Sequence, residues 1–230
     1  MKKLFFALMA LTIVLPLAAC GSGKDTEPSS GIQEPEQTQE PRQTHEPEQT
    51  QEPEQTQEPP AEGDGTEAKA LVVYFSATGN TKAVAETLAG LQDADIYEIV
   101  PEKPYTDEDL NYNDRTARAT AEQNDPDARP AIQGSIADFE QYNVVYVGYP
   151  IWWGDMPRIL YTFFDTYDFS GKTVAPFCTS GGSGLSGTPG TIAGLEAGAE
   201  VLGGLHISGS AAGNAESAIA EWLENIGLGE

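Results

Sequence analysis

Between Phe75 and Lys82 the chain reads Ser76-Ala77-Thr78-Gly79-Asn80-Thr81, a turn of hydroxyls, one amide and one glycine. The turn ends an apolar, β-branched and aromatic run, Leu71 to Phe75. It precedes Val84, Leu88 and Leu91, spaced i, i+4, i+7 as on one face of a helix. A buried strand that feeds a helix through such a turn is an anion site. The first helical N–H groups lack internal partners, and the helix dipole favours negative charge there. The Lys of a nucleoside-triphosphate loop is missing, and so is the GxGxxG of a dinucleotide loop. Hydroxyls and amides without a cation suit one terminal phosphate monoester. An ordinary strand–turn–helix with a polar cap explains the same residues, so other segments must decide.

Two segments do. After a third apolar run comes Tyr149-Pro150-Ile151-Trp152-Trp153-Gly154-Asp155-Met156-Pro157. Two adjacent Trp residues beyond a buried strand are costly to leave exposed without a purpose. Indole supplies the flat apolar wall that a planar ring needs. Chain neighbours point in different directions, so one Trp is expected on the ligand and one in the core. Which is which stays open, though Trp153 is nearer the loop apex. Pro157 suits the first turn of a helix, with Asp155 or Met156 as its cap, so Asp155 is structural rather than catalytic. The second segment is Thr179-Ser180-Gly181-Gly182-Ser183-Gly184, whose glycines let backbone approach a ligand closely.

In this order the three loops resemble those of the flavodoxin family, and the resemblance runs from Lys69 to about Leu228. It is similar within that family to bacterial proteins with YPIWWGDMP and TSGGSG. The resemblance implies an α/β, flavodoxin-like, doubly wound five-stranded parallel sheet of order 2-1-3-4-5, with all three loops on one sheet edge. It implies noncovalent FMN. The phosphate would rest on the loop from Ser76 through Ala77, Thr78, Gly79 and Asn80 to Thr81. The ring would lie between Pro150, Ile151, Trp152, Trp153 and Gly154 on one side and Thr179 to Gly184 on the other. The glycine loop and the long Pro101–Gly134 segment depart from short electron-carrier flavodoxins. The covalent flavinylation pattern of exported flavoproteins does not occur in the sequence.

Alternating patterns support that architecture. Strands are expected over Ala70–Phe75, Asp95–Val100, Asn143–Tyr149, Thr173–Cys178 and Glu200–Ile207. Helices are expected over Thr81–Leu91, Ser135–Tyr142, Pro157–Tyr167, Ser186–Ala197 and Asn214–Ile226. Runs such as VVYVGY fit a parallel sheet buried on both faces. The Pro101–Gly134 segment is polar, with a weakly amphipathic helix expected over roughly Glu108–Gln123. It either covers a partner site or wraps the sheet edge.

Residues 1–66 belong to a different class. Lys2 and Lys3 precede an apolar run, Leu4 to Ala19, shorter than the ~20 residues of a spanning helix. Residues 1–19 read as a secretory signal. They end Leu17-Ala18-Ala19-Cys20-Gly21, which resembles a bacterial lipobox and implies cleavage before Cys20 and lipid on its sulfur. Residues 20–66 carry EPEQTQ-type hexapeptides that cannot build a core, a disordered tether to a domain over 67–230. His45 lies in this tether and is incidental. Cys178 is then the only remaining thiol, read as buried and inert. His206, at the end of the fifth strand, reads as structural or peripheral. Neither a metal site nor a catalytic residue emerges. The formal net charge is −24, and residues 66–230 hold 24 acidic against 8 basic side chains. Such a surface repels nucleic acid and steers basic partners.

The function expected is an FMN-binding electron-transfer protein, lipid-anchored to the outer face of a bacterial cytoplasmic membrane. Its partner would be a redox protein or a quinone. The alternative is an NAD(P)H-dependent quinone or flavin reductase on the same fold, although no basic cluster suggests an adenosine-phosphate site. A third class, an interaction module that has lost its flavin, has no use for the intact SATGNT loop.

Overall fold

The computed structural model describes residues 69–229; the signal, lipobox and tether expectations lie outside the described residues. In chain order the elements are β1 (Lys69–Tyr74), α1 (Asn80–Leu91), β2 (Asp95–Glu98), β3 (Val100–Pro101), α2 (Arg118–Asn124), β4 (Ile132–Gln133), β5 (Tyr142–Pro150), α3 (Arg158–Thr166), β6 (Thr173–Ser180), α4 (Thr188–Leu195), β7 (Glu200–Val201), β8 (Leu205–Ser208) and α5 (Glu216–Asn225).

The main sheet runs β2-β1-β5-β6, with β7 and β8 both parallel to β6 beyond it. This is the expected 2-1-3-4-5 order, with the fifth position shared by two short strands. The single strand expected over Glu200–Ile207 is therefore broken. Its partner explains the break: Pro176, whose carbonyl faces Gly204, has no N–H to offer that edge.

Strand alternation sorts the core into two layers. Val72, Tyr74, Tyr146 and Phe177 pack with Val84 and Leu88 of α1 and Ile219 and Trp222 of α5. Leu71, Val73, Phe75, Val145, Val147 and Tyr149 pack with Ile159, Leu160, Phe163 and Phe164 of α3. Both faces of β1 and β5 are covered, which is why these strands read as unbroken apolar runs.

The Pro101–Gly134 segment is hung on an antiparallel ribbon, with Val100 opposite Gln133 and Pro101 opposite Ile132. This ribbon splits the strand expected over Asp95–Val100 into β2 and β3. The helix expected over Glu108–Gln123 forms only as α2. Upstream, Asp109 and Thr106 exchange side-chain-to-backbone bonds of 3.0 and 3.2 Å, and Asn111 and Asp114 accept from the N–H two residues on. Such bonds offer the backbone an alternative to the helix. The helix expected over Ser135–Tyr142 shrinks to one 3-10 turn, Phe139–Gln141, after a left-handed Asp138.

Candidate functional site

Beyond the carboxyl ends of β1, β5, β6 and β8 lies a cleft of about 760 Å³. Its size is ordinary for a small-molecule site. Ala77, Thr78 and Asn80 line it from the first loop, Pro150, Ile151 and Trp152 from the second, and Thr179, Ser180 and Gly181 from the third. The three loops singled out in the sequence therefore meet at one cavity.

The first loop is shaped by its own residues. Gly79 is left-handed at φ 88° immediately before α1, a conformation that costs glycine nothing. Its N–H donates to Ser76 Oγ at 3.1 Å, closing the turn. Asn80 Nδ2 reaches Thr78 Oγ1 at 3.5 Å. Thr78 and Asn80 are exposed and face the cleft. Thr81 does not: it is buried, and its hydroxyl pairs with that of Thr179 at 2.8 Å. That bond ties the start of α1 to the end of β6. Thr81→Val strands the buried Thr179 hydroxyl and is expected to cost about 1–3 kcal/mol in a denaturant melt. A melt unchanged within error would mean that Thr179 finds water instead.

The second loop separates its two tryptophans. Trp152 and Asp155 exchange both backbone bonds, at 2.8 and 3.0 Å. Trp153 and Gly154 between them have φ of 49° and 82°, both central positions left-handed as in a type I′ turn. Trp152 is buried, edge-on to Phe75 and Tyr105 at 5.6 and 5.2 Å, and forms cleft wall. Trp153 is exposed at the apex, against the ring of Tyr112 at 4.5 Å. The Trp nearer the apex is thus the one off the wall. Asp155 is structural: its carboxylate accepts from Met156 N–H and Tyr161 O–H, both at 2.8 Å. The capping position of α3 is Pro157 rather than Asp155 or Met156. Gln123 does the capping from a distance. Its Oε1 accepts from Arg158 N–H at 3.1 Å, and its Nε2 donates to the carbonyls of Trp152 and Met156.

In the third loop, Ser180 Oγ accepts from the N–H groups of Gly182 and Ser183 and lies 2.8 Å from His206 Nε2. Gly182, Ser183 and Gly184 stand outside the lining, as do Ser76, Gly79, Trp153 and Gly154. They shape the loops whose neighbours face the cleft. Cys178 is fully buried and burial pushes its thiol up to about 12, so it stays protonated and inert.

Six lining residues escaped the sequence reading. Ser208, Gly209 and Ser210 follow β8 on the same sheet edge as the other loops. A small hydroxyl-and-glycine turn at the end of the fifth strand was their available signal. Asp107, Leu110 and Tyr112 come from the Pro101–Gly134 segment, where no periodicity marks them. That segment is firmly held. The Arg118 guanidinium lies over the Tyr105 ring at 4.1 Å and pairs with Glu122 at 2.7 Å. Burial and Glu122, which accepts its hydroxyl proton, hold Tyr105 well above the usual phenol range, so it remains a donor. Among the described residues lining the cleft, Asp107 is the one charged side chain.

The cleft thus has a hydroxyl-rich end at the α1 N-terminus and an apolar wall of Leu110, Tyr112, Ile151 and Trp152. Comparison with known proteins bears on the family. The flavodoxin family profile matches residues 69–226. Crystal structures of candidate flavoproteins from Bacteroides eggerthii and Bacteroides uniformis are 39% and 37% identical, with TM-scores of 0.63 and 0.64. They cover 70% and 68% of this chain and 98% of their own. A Lactobacillus acidophilus flavoprotein in complex with FMN is 25% identical, with a TM-score of 0.51, over 60% of this chain and 93% of its own. No curated protein matches the chain. A parallel sheet of this order, three loops converging on one cleft and a profile match across nearly the whole described domain make the chain a member of the flavodoxin family.

Proposed function

We propose that the chain binds FMN in this cleft and carries electrons from the outer face of a bacterial cytoplasmic membrane. The single observation that carries the cofactor reading is the pairing of a cation-free hydroxyl end with a flat apolar wall in one cavity of adequate size. FMN has those two ends. The α1 N-terminus supplies N–H groups and Thr78, Asn80, Ser208 and Ser210 supply side-chain donors for a phosphate. Trp152 and Ile151 supply the wall, and Ser180 and Gly181 the polar edge. The L. acidophilus relative was crystallised with FMN, which supports the same assignment.

When bound, FMN supplies the redox chemistry; the chain's residues bind, orient and set the field. Asp107 on the wall disfavours added negative charge in the cleft and so lowers the potential for full reduction. Tyr112, half-exposed and with partial desolvation holding its phenol above the ordinary range, stays protonated and contributes no charge.

The test separates phosphate from ring. Thr78→Val combined with Asn80→Ala in the full chain is expected to weaken FMN about tenfold and leave riboflavin within about twofold, the scale of a lost hydrogen bond. Equal weakening of both ligands would remove the phosphate from this loop. Steady NAD(P)H oxidation by the FMN-loaded protein, with a quinone or free flavin as acceptor, would favour the reductase reading over the carrier.

Anchoring rests on Leu17-Ala18-Ala19-Cys20 and the hexapeptide segment after it. Cys20→Ser is expected to move the protein from the membrane to the soluble fraction of expressing bacteria. Retention in membranes would assign the anchor to the apolar segment instead.

A further inference from the structure

Ser180 is the hub of the glycine loop, and its hydrogen bonds determine the state of His206. A serine hydroxyl has one proton to give and two lone pairs. Both lone pairs of Ser180 are taken, by the N–H groups of Gly182 at 3.1 Å and Ser183 at 3.0 Å. Its proton is therefore left for the third partner, His206 Nε2 at 2.8 Å. In that arrangement Nε2 accepts and the ring carries a proton on Nδ1. A protonated imidazole would present Nε2–H to an oxygen with no lone pair free. One of the three bonds would then have to break. Ser180 and Gly181 line the cleft, so the loop that rearranges is the one facing the ligand.

We infer that His206 is a positioning residue: by accepting the Ser180 hydroxyl proton at Nε2 it holds residues 180–183 in the shape that receives the cofactor. His206 on β8 lies opposite Cys178 of β6, whose thiol is buried and raised to about 12. Among the described residues no carboxylate forms an ion pair with the ring. Glu200 lies opposite Thr173, at the far end of β6 from Ser180. Glu196 keeps company with Asp168 and Asp165. Asp107 is the charged group on the cleft wall.

His206→Gln offers a carbonyl oxygen to the Ser180 hydroxyl, whereas His206→Ala leaves that hydroxyl proton without its acceptor.

The experiment uses the full chain uniformly labelled with 15N, with FMN binding measured in parallel. His206 should show Nδ1–H and a bare Nε2, and the Gly182 and Ser183 amides should shift in His206→Ala and stay close to their parent positions in His206→Gln. FMN should weaken about tenfold in H206A, the size of one lost hydrogen bond, and within about twofold in H206Q. A proton on Nε2, or an equal fall in affinity in H206A and H206Q, overturns the inference. The binding arm rests on the FMN reading, while the tautomer and amide arms do not. Absence of FMN binding in the parent would therefore sink that reading and leave the loop to be judged by its own resonances.

Discussion

Trp152→Ala is expected to destabilise the domain by about 3–5 kcal/mol and to abolish measurable flavin uptake, whereas Trp153→Ala, one residue on, should cost less than about 1 kcal/mol. The two indoles are adjacent in sequence and opposite in circumstance. Trp152 is 3% exposed and meets Phe75 and Tyr105 edge-on, with interplanar angles of 85° and 83°. Removing it opens a cavity between β1, the second loop and the Pro101–Gly134 segment, and takes the largest side chain out of the cleft's apolar wall. Trp153 is 45% exposed and occupies a left-handed position in the turn. Its truncation forfeits the partial stack on Tyr112 and leaves the turn's backbone bonds intact. For a domain of this size each kcal/mol moves the midpoint by roughly 2–4 °C. Thermal melts of the two variants should therefore differ by roughly 10 °C. Equal shifts would mean that the turn, rather than the Phe75–Tyr105 contact, is what Trp152 supports.

The same pair shows what the sequence could and could not specify. The unbroken apolar runs of β1 and β5 and the hydroxyl turn after Phe75 were enough to mark buried parallel strands and the first loop, while the sheet order followed from the family resemblance. Those signals are local, and burial on both faces makes them emphatic. The direction of each indole depends on the φ of Trp153 and Gly154, which the letters Trp-Trp-Gly-Asp suggest only weakly. Three lining residues of the Pro101–Gly134 segment were illegible for a different reason. Their positions follow from long-range contacts, the β3–β4 ribbon and the Arg118–Tyr105 stack, and from Asx-type bonds that replace a helix. No repeat length in the sequence encodes such contacts. Thr81 was legible as polar and as part of the loop. Its partner, Thr179, lies 98 positions away, and the bond between them makes Thr81 a strut rather than part of the cleft surface. Ser208 to Ser210 did carry a readable signal, the same small-residue turn at the end of a parallel strand that marked the other loops.

Gly148→Ala should be among the most damaging single-methyl additions in the domain, at about 3 kcal/mol, the upper end of ordinary overpacking. Gly148 lies toward the carboxyl end of β5, with Tyr74 of β1 on one side and Phe177 of β6 on the other. The Phe177 ring lies across the glycine, where a Cβ would overlap it. Phe177 is itself fully buried among Val72, Tyr146 and Ile219, so the ring has no free volume to retreat into. The flanking backbone is fixed by ladders on both sides, so β5 cannot shift alone. A smaller residue at 177 should relieve the clash. In a double-mutant cycle, Phe177→Leu is expected to be costly alone and to recover about 1 kcal/mol or more in the Gly148→Ala background, within the usual coupling of residues in contact. Additive costs in that cycle would show that the methyl is absorbed elsewhere and that the ring over Gly148 is not what excludes a side chain there. The expectation also bears on the cleft. Pro150, two residues along β5, opens the second loop, so the interlock of Gly148 and Phe177 fixes the height at which Ile151 and Trp152 meet the third loop across the Ile151 N–H to Thr179 carbonyl bond of 2.9 Å. Loss of flavin affinity in Gly148→Ala should therefore exceed what partial unfolding accounts for, and Phe177→Leu should restore affinity together with stability.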